Sequence, residues 1–166
     1  MTNKKFRQNF DRLLKKYDKY ATGELKKVFS EWAKQLDYTD PKAAQLNDEV
    51  LKQALFNIYF YVGDNHIKYI VNSVNADIKA VSPFSFLDAI LYFMNMHGHK
   101  KIVSITQTFI KAVKAVIIQA AKENITGQLL TDRVHRAVSN GNFYNWQAER
   151  IARTETIAAA NYAAVY

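Results

Sequence analysis

Apolar residues recur at helical spacing almost from the start of this chain. Phe6, Phe10, Leu13, Leu14 and Tyr17 fall on one helical face, and lysines fill the others. Gly23 breaks the pattern. Leu25, Val28, Phe29, Trp32, Ala33 and Leu36 then form a second stripe. Asp40-Pro41 reads as an N-cap followed by proline at the first helical position, where the missing N–H costs nothing. Val50, Leu51, Ala54, Leu55, Ile58 and Val62 follow. Gly63 reads as a stop, with Asp64 or Asn65 capping the next helix.

Ile67, Ile70, Val71, Val74, Ile78 and Val81 make a fourth stripe, and Ser82-Pro83 repeats the cap-plus-proline signal. The segment FSFLDAILYFMNM is apolar on nearly every side, which argues for burial or an interface. Gly98 is expected to end it. A long helix lined by Ile102, Ile105, Phe109, Val113, Val116, Ile117 and Ala120 is expected to run to Lys122. NITGQ is a turn, Thr131 caps a short helix through Val138, and SNGN marks a loop before a last helix from Phe143. No stretch alternates with period two for long. The expectation is an all-α, multi-helix domain with a long central helix and a buried or interface C-terminal helix. A soft boundary near Gly98 divides the chain into residues 1–97 and 98–166.

The last helix carries ERIARTETIAAANYAAVY. Projected at about 100° per residue, Ile151, Ala158, Tyr162 and Val165 form one apolar stripe, with Glu155 inside it. Trp146, Arg150, Arg153, Ile157 and Asn161 form a second face, and Ala148, Ala152, Ala159 and Ala163 a third. No face is plainly solvated. Glu155 on an apolar stripe requires a partner, and the planar fork of an arginine is the natural one. Arg133 and Arg136 are the candidates, while Glu149 and Arg153 can pair along the helix. A buried ion-pair network that docks helices is favoured over a ligand site.

Composition adds limits. Hydrophobic residues make up 49% and aromatics 13%, which argues against disorder. Cysteine is absent, so disulfides, thiolate metal sites and cysteine nucleophiles are excluded. The N-terminus lacks an apolar signal core, and the longest strongly apolar run, ALFNIYFYV, is too short for a membrane span. A soluble, intracellular-type protein is expected. The net charge of +8 is uneven. Residues 1–36 hold ten Lys/Arg against four Asp/Glu, residues 37–97 four against seven, and residues 98–166 nine against four. Basic ends suit polyanions or acidic proteins, although solvated helix faces are the favoured account of such charge.

Catalytic chemistry finds little support. His97-Gly98-His99 supplies two metal ligands at most, and no H-E-x-x-H occurs. There is no nucleophile elbow and no glycine-rich phosphate loop. Asp48-Glu49 point two ways from a helix, and arginines beside Glu149 and Glu155 keep both ionised. Transferase toxins also use an arginine and a glutamate, but their sites need strands. No enzymatic activity, cofactor or metal is expected. Non-specific contact with a nucleic-acid backbone is the fairer rival. It would run through Lys4, Lys5, Arg7, Lys15 and Lys16 of the first helix, with Arg12 and Lys19 beside them, and through Lys100 and Lys101, with Lys111 and Lys114, of the long one.

AERIARTETIAAANYA resembles the signature helix of the phage Mu F-like head morphogenesis proteins, the minor head proteins of tailed phages. The matching positions are Ile151, Ala152, Arg153, Thr154, Glu155 and Asn161, with Arg150 just upstream. ITQTFIKAVKAVIIQAAKENITGQLLTDRV is similar to that family's long helix, turn and short helix, so the resemblance covers about residues 100–166. Residues 1–97 correspond to a variable N-terminal helical region. The resemblance implies a non-enzymatic virion component inside the capsid, made in the host cytoplasm. Its implied partners are the portal protein or the major capsid protein, in multiple copies, and packaged DNA, with no membrane. Its implied roles are head assembly and genome packaging or delivery. Family members usually continue beyond the Asn-containing helix. Either the family domain is incomplete here, or the chain is an N-terminal portion of something longer.

Overall fold

The computed structural model describes residues 3–37, 39–42, 45–74, 83–139 and 142–164. Among them there are five helices and no strand, so the fold is all-α. The helices are α1 (Asn3–Gln35), α2 (Asp48–Val74), α3 (Pro83–Lys122), α4 (Gly127–Ser139) and α5 (Asn142–Ala164). Three glycines expected to end helices lie inside them instead: Gly23 in α1, Gly63 in α2 and Gly98 in α3. The division at residue 98 therefore falls within α3. A mid-helix glycine costs only about 1 kcal/mol, which continuous burial on either side offsets. In α1 the buried stripe Tyr17, Ala21, Leu25, Val28 and Trp32 runs through the Gly23 turn in register.

Gly23 has open space where a Cβ would stand. Gly23→Ala is therefore expected to stabilise the fold by roughly 0.5–1 kcal/mol, read as a raised urea midpoint at constant slope. A fall in midpoint would show that this turn needs glycine.

The ends of the helices have identifiable causes. Asp40-Pro41 does not open α2. Asn47 does, with its Oδ1 accepting the Glu49 N–H at 3.0 Å, and Asp48 and Glu49 suit the positive end of the helix. Pro83 is the first residue of α3, while Ser82, Ile78 and Val81 lie outside the described residues. At the other end of α3, Asn124 adopts φ 56°. The Ile125 N–H reaches the Ala120 carbonyl at 2.9 Å and the Asn124 N–H reaches Ala121 at 3.1 Å, a Schellman closure. Gly127, at φ +59°, then starts α4 four residues before the expected cap. Thr131 bonds back to the Gly127 carbonyl inside the helix instead of capping it. The asparagine and glycine after SNGN's serine, residues 140–141, are not among those described, and α5 begins at Asn142.

α5 makes its widest contacts with α1 and α2, α3 lies on α2, and α4 closes against α1, α3 and α5. The core holds Tyr17, Leu25, Phe29 and Trp32 of α1, Leu51, Leu55, Ile58 and Tyr59 of α2, and Ile90 and Val113 of α3. Ala148, Ala152, Ala159 and Ala163 are all buried, so the alanine face lets the neighbouring backbones approach closely. Leu87–Lys122 is long and apolar enough to cross a membrane by length and composition, with a mean hydropathy of 1.4 in its most apolar window. Gly98, inside this helix, interrupts the apolar pattern that would otherwise show its length. α3 buries Ile90, Met94, Ile102, Ile105, Phe109 and Val113, but only 39% of that window is buried, and Leu91, Tyr92, Met96, Val103 and Ile118 stand exposed.

One buried polar corner stands apart. His66 of α2 packs among Phe10, Tyr17 and Tyr69, and neither its Nδ1 nor the Tyr17 hydroxyl has a hydrogen-bond partner among the described residues. Burial lowers the His66 pKa from its usual 6.5 and raises that of the Tyr17 hydroxyl. The unfolded chain then binds this proton more readily than the folded one. Stability from a neutral His66 is complete above about pH 6.5 and is lost as pH falls through the lowered folded value. His66→Phe is expected to flatten that part of a stability-versus-pH curve. An unchanged curve would place the pH dependence elsewhere.

Candidate functional site

Glu155 lies where α2, α3 and α5 meet. It is 5% exposed, as its place on an apolar stripe demands of a paired group. Its partners are not Arg133 or Arg136. Lys101 Nζ of α3 donates to Oε2 at 2.7 Å, and the Tyr59 hydroxyl of α2 donates to the same oxygen at 2.9 Å. The Lys101 ammonium also stands 5.7 Å from the Tyr59 ring centroid. Burial, followed by the negative charge of Glu155, raises the Tyr59 pKa far above the phenol range, so the hydroxyl remains a donor. Arg133 is engaged elsewhere, in a forked pair with Glu123 across the α3–α4 turn that lowers the Glu123 pKa to about 2. Lysine and tyrosine together give Glu155 two donors, both on Oε2, where an arginine fork would have reached both oxygens.

A second polar tie joins α5 to α1. Thr156, fully buried, donates to Asp18 Oδ1 at 2.6 Å, and Arg153 Nε stands 3.8 Å from Asp18 Oδ2. Arg153 therefore turns toward α1, and the expected pair with Glu149 along the helix is not among the ion pairs of the described residues. No sequence signal marks Thr156, because its partner Asp18 lies 138 residues away on another helix.

The remaining motif residues line the outside of α5. Arg150 is exposed, with its guanidinium 5.5 Å from the Trp146 ring centroid, and the Thr154 hydroxyl bonds back to the Arg150 carbonyl at 3.1 Å. Trp146 is 53% exposed and Ile157 47%, and Asn161 is exposed as well. The second projected face, expected to be covered, is thus open to solvent. Ile151 is half-buried.

α3 and α5 run antiparallel, with Lys101 meeting Glu155 and Ala89 meeting Tyr162, and their backbones make few close approaches. Side chains bridge them at one end, where the Tyr162 hydroxyl donates to the Ala89 carbonyl at 2.9 Å and packs on Phe93. Beyond Lys101 and Glu155 the two helices frame an open groove of about 530 Å³. Ile105, Ala112, Ala115 and Ile151 supply apolar lining, and Ser104, Thr108, Gln147 and Thr154 supply neutral polar groups. Lys111 and Arg150 are its cations, and Glu155 lines it as well. No sequence signal marked this groove, since it depends on how two distant helices diverge.

The candidate phosphate contacts separate into two groups. Arg7, Lys15 and Lys16 are exposed on α1, and Lys100 is exposed on α3. Lys4 and Lys5 belong to α1, but their side chains lie outside the described set. Lys101 leaves the group, because its ammonium is committed to Glu155. His97 and His99 lie on one unbroken helix about 200° apart, so the H-x-H pair does not converge on a common point. Comparison with protein families, with curated proteins and with solved structures finds no match for this chain.

Proposed function

We propose that this chain is a helical minor head protein of a tailed phage, bound to the portal or inner capsid and acting in head assembly and genome packaging or delivery. The observation that carries the reading is the double character of α5. Its motif residues Ala152 and Glu155 knit the bundle together, while Arg150, Thr154 and Asn161 lie on a face that a partner can reach. A motif helix of this kind holds its own fold and offers an interface at once. No catalytic role is assigned to Glu155, whose carboxylate is taken up by Lys101 and Tyr59. The test is co-purification with the portal protein of the same phage, under assembly conditions. Retention in a stoichiometric complex is expected, and well-folded protein that does not bind portal would count heavily against the proposal.

The second reading is a stand-alone, non-sequence-specific nucleic-acid-binding protein. The exposed Arg7, Arg12, Lys15, Lys16 and Lys19 of α1 favour it. It requires duplex binding that falls steeply between low and high salt. Weak binding at low salt, or binding indifferent to salt, removes it.

A further inference from the structure

The groove between α3 and α5 has three properties that together define an occupant. Its small lining residues, Ala112 and Ala115, let a second backbone approach. Its cations come one from each wall, Lys111 from α3 and Arg150 from α5, and Lys114 extends the charge into an adjoining concavity along α3. At its inner end stands the buried Glu155. Lys101 and Tyr59 both bond to Oε2, and Oε1 has no hydrogen-bond partner among the described residues. A carboxylate whose charge is already answered calls for a neutral hydrogen-bond donor, not a second cation.

We propose that this groove docks an acidic amphipathic helix of a partner protein. Carboxylates of that helix meet Lys111 and Arg150, its small apolar side lies against the alanines, and a neutral hydroxyl or amide donates to Glu155 Oε1. Ser104 to Ala115 spans roughly 17 Å of α3, three helical turns, which matches a helical segment better than a small molecule. Ile118, 58% exposed, lines the adjoining concavity, and Trp146, 53% exposed, neighbours Arg150. These are apolar contacts that a sugar-phosphate backbone does not answer. A second copy fits poorly, because a two-fold pairing of grooves sets Lys111 and Arg150 against their own kind. The inference goes beyond the head-protein proposal and stands without it.

The probe is a labelled synthetic helix of about fourteen residues, with glutamates along one flank and alanine, leucine and one serine along the other. Fluorescence anisotropy with the full chain is expected to show saturable, micromolar binding. Ala115→Trp, which fills the groove from an exposed position, and Arg150→Glu should each weaken it at least about tenfold, with circular dichroism unchanged. Lys52→Glu, on exposed α2 surface, should not. A lysine-for-glutamate peptide should bind only the Lys111→Glu, Arg150→Glu double variant, a reversal that mere damage to the fold cannot produce. The proposal is overturned if the wild-type chain binds no peptide, or if the groove variants bind as the wild type does. Displacement by duplex DNA acting through Lys111 and Arg150 would assign the groove to phosphates. A concentration-dependent dimer abolished by Ala115→Trp would assign it to a second copy. Either result overturns the partner-helix proposal.

Discussion

Lys101→Met is expected to destabilise the protein by about 3 kcal/mol, the lower end of the cost of removing one partner from a buried ion pair. Glu155 would remain 5% exposed with only the Tyr59 hydroxyl to compensate its charge. Methionine keeps most of the aliphatic stem, so lost packing contributes little. The lower end applies because the Lys101 side chain is itself 23% exposed, and water can partly replace it. Urea unfolding at neutral pH reads the effect as a lower midpoint at unchanged slope. The double variant Lys101→Met, Glu155→Gln is the informative control. It leaves no uncompensated charge and retains an acceptor for Tyr59, so it should recover much of the loss. A Lys101→Met cost below about 1 kcal/mol would show that the pair is solvated and holds little of the α2–α3–α5 junction together.

That junction also marks the limit of what the sequence makes legible. Burial periodicity reads well wherever a helix has one apolar face. Leu25, Val28, Phe29, Trp32, Ala33 and Leu36 are all buried, and so are Leu51, Ala54, Leu55, Ile58 and Val62. Glycine reads poorly. A local breaker competes with burial along the whole helix, and Gly23, Gly63 and Gly98 each lose that competition. Asp40-Pro41 has the right local chemistry for a helix start. It loses to Asn47, whose backbone is fixed from α1 by Gln35 and Trp32. For Glu155, spacing shows that a partner is required, because a carboxylate interrupts an apolar stripe. It does not show which partner, because Lys101 lies 54 residues away and the choice depends on how α3 crosses α5. The groove beside it is a further step removed, since it arises where two helices with no local signal in common diverge. The outer face of α5 departs from its sequence pattern for the opposite reason. Trp146 and Ile157 look like core residues by type, yet both stand open on the surface.

Trp32→Ala should cost the most of any single substitution considered, about 3–5 kcal/mol. Trp32 is fully buried, in edge contact with Phe109 of α3 at 5.3 Å between ring centroids and close to Phe29 at 6.0 Å. Its indole N–H donates to the Asn47 carbonyl at 3.0 Å. The same asparagine donates its backbone N–H to Gln35 Oε1 and caps α2 through Oδ1. The indole therefore fills the α1–α3 contact and also pins the turn from which α2 starts. Alanine leaves a cavity among rings that cannot all relax into it, and removes the donor from the Asn47 carbonyl. Trp32→Phe separates the two contributions. It keeps an aromatic contact with Phe109 but loses the N–H, so it should cost only about 1–2 kcal/mol and act mainly at the start of α2. Hydrogen exchange can localise that difference, with the first amides of α2 losing protection in both variants and those around Phe109 only in Trp32→Ala. Equal losses for the two substitutions would mean that the hydrogen bond to Asn47, and not the ring packing, holds α1 to the rest of the bundle.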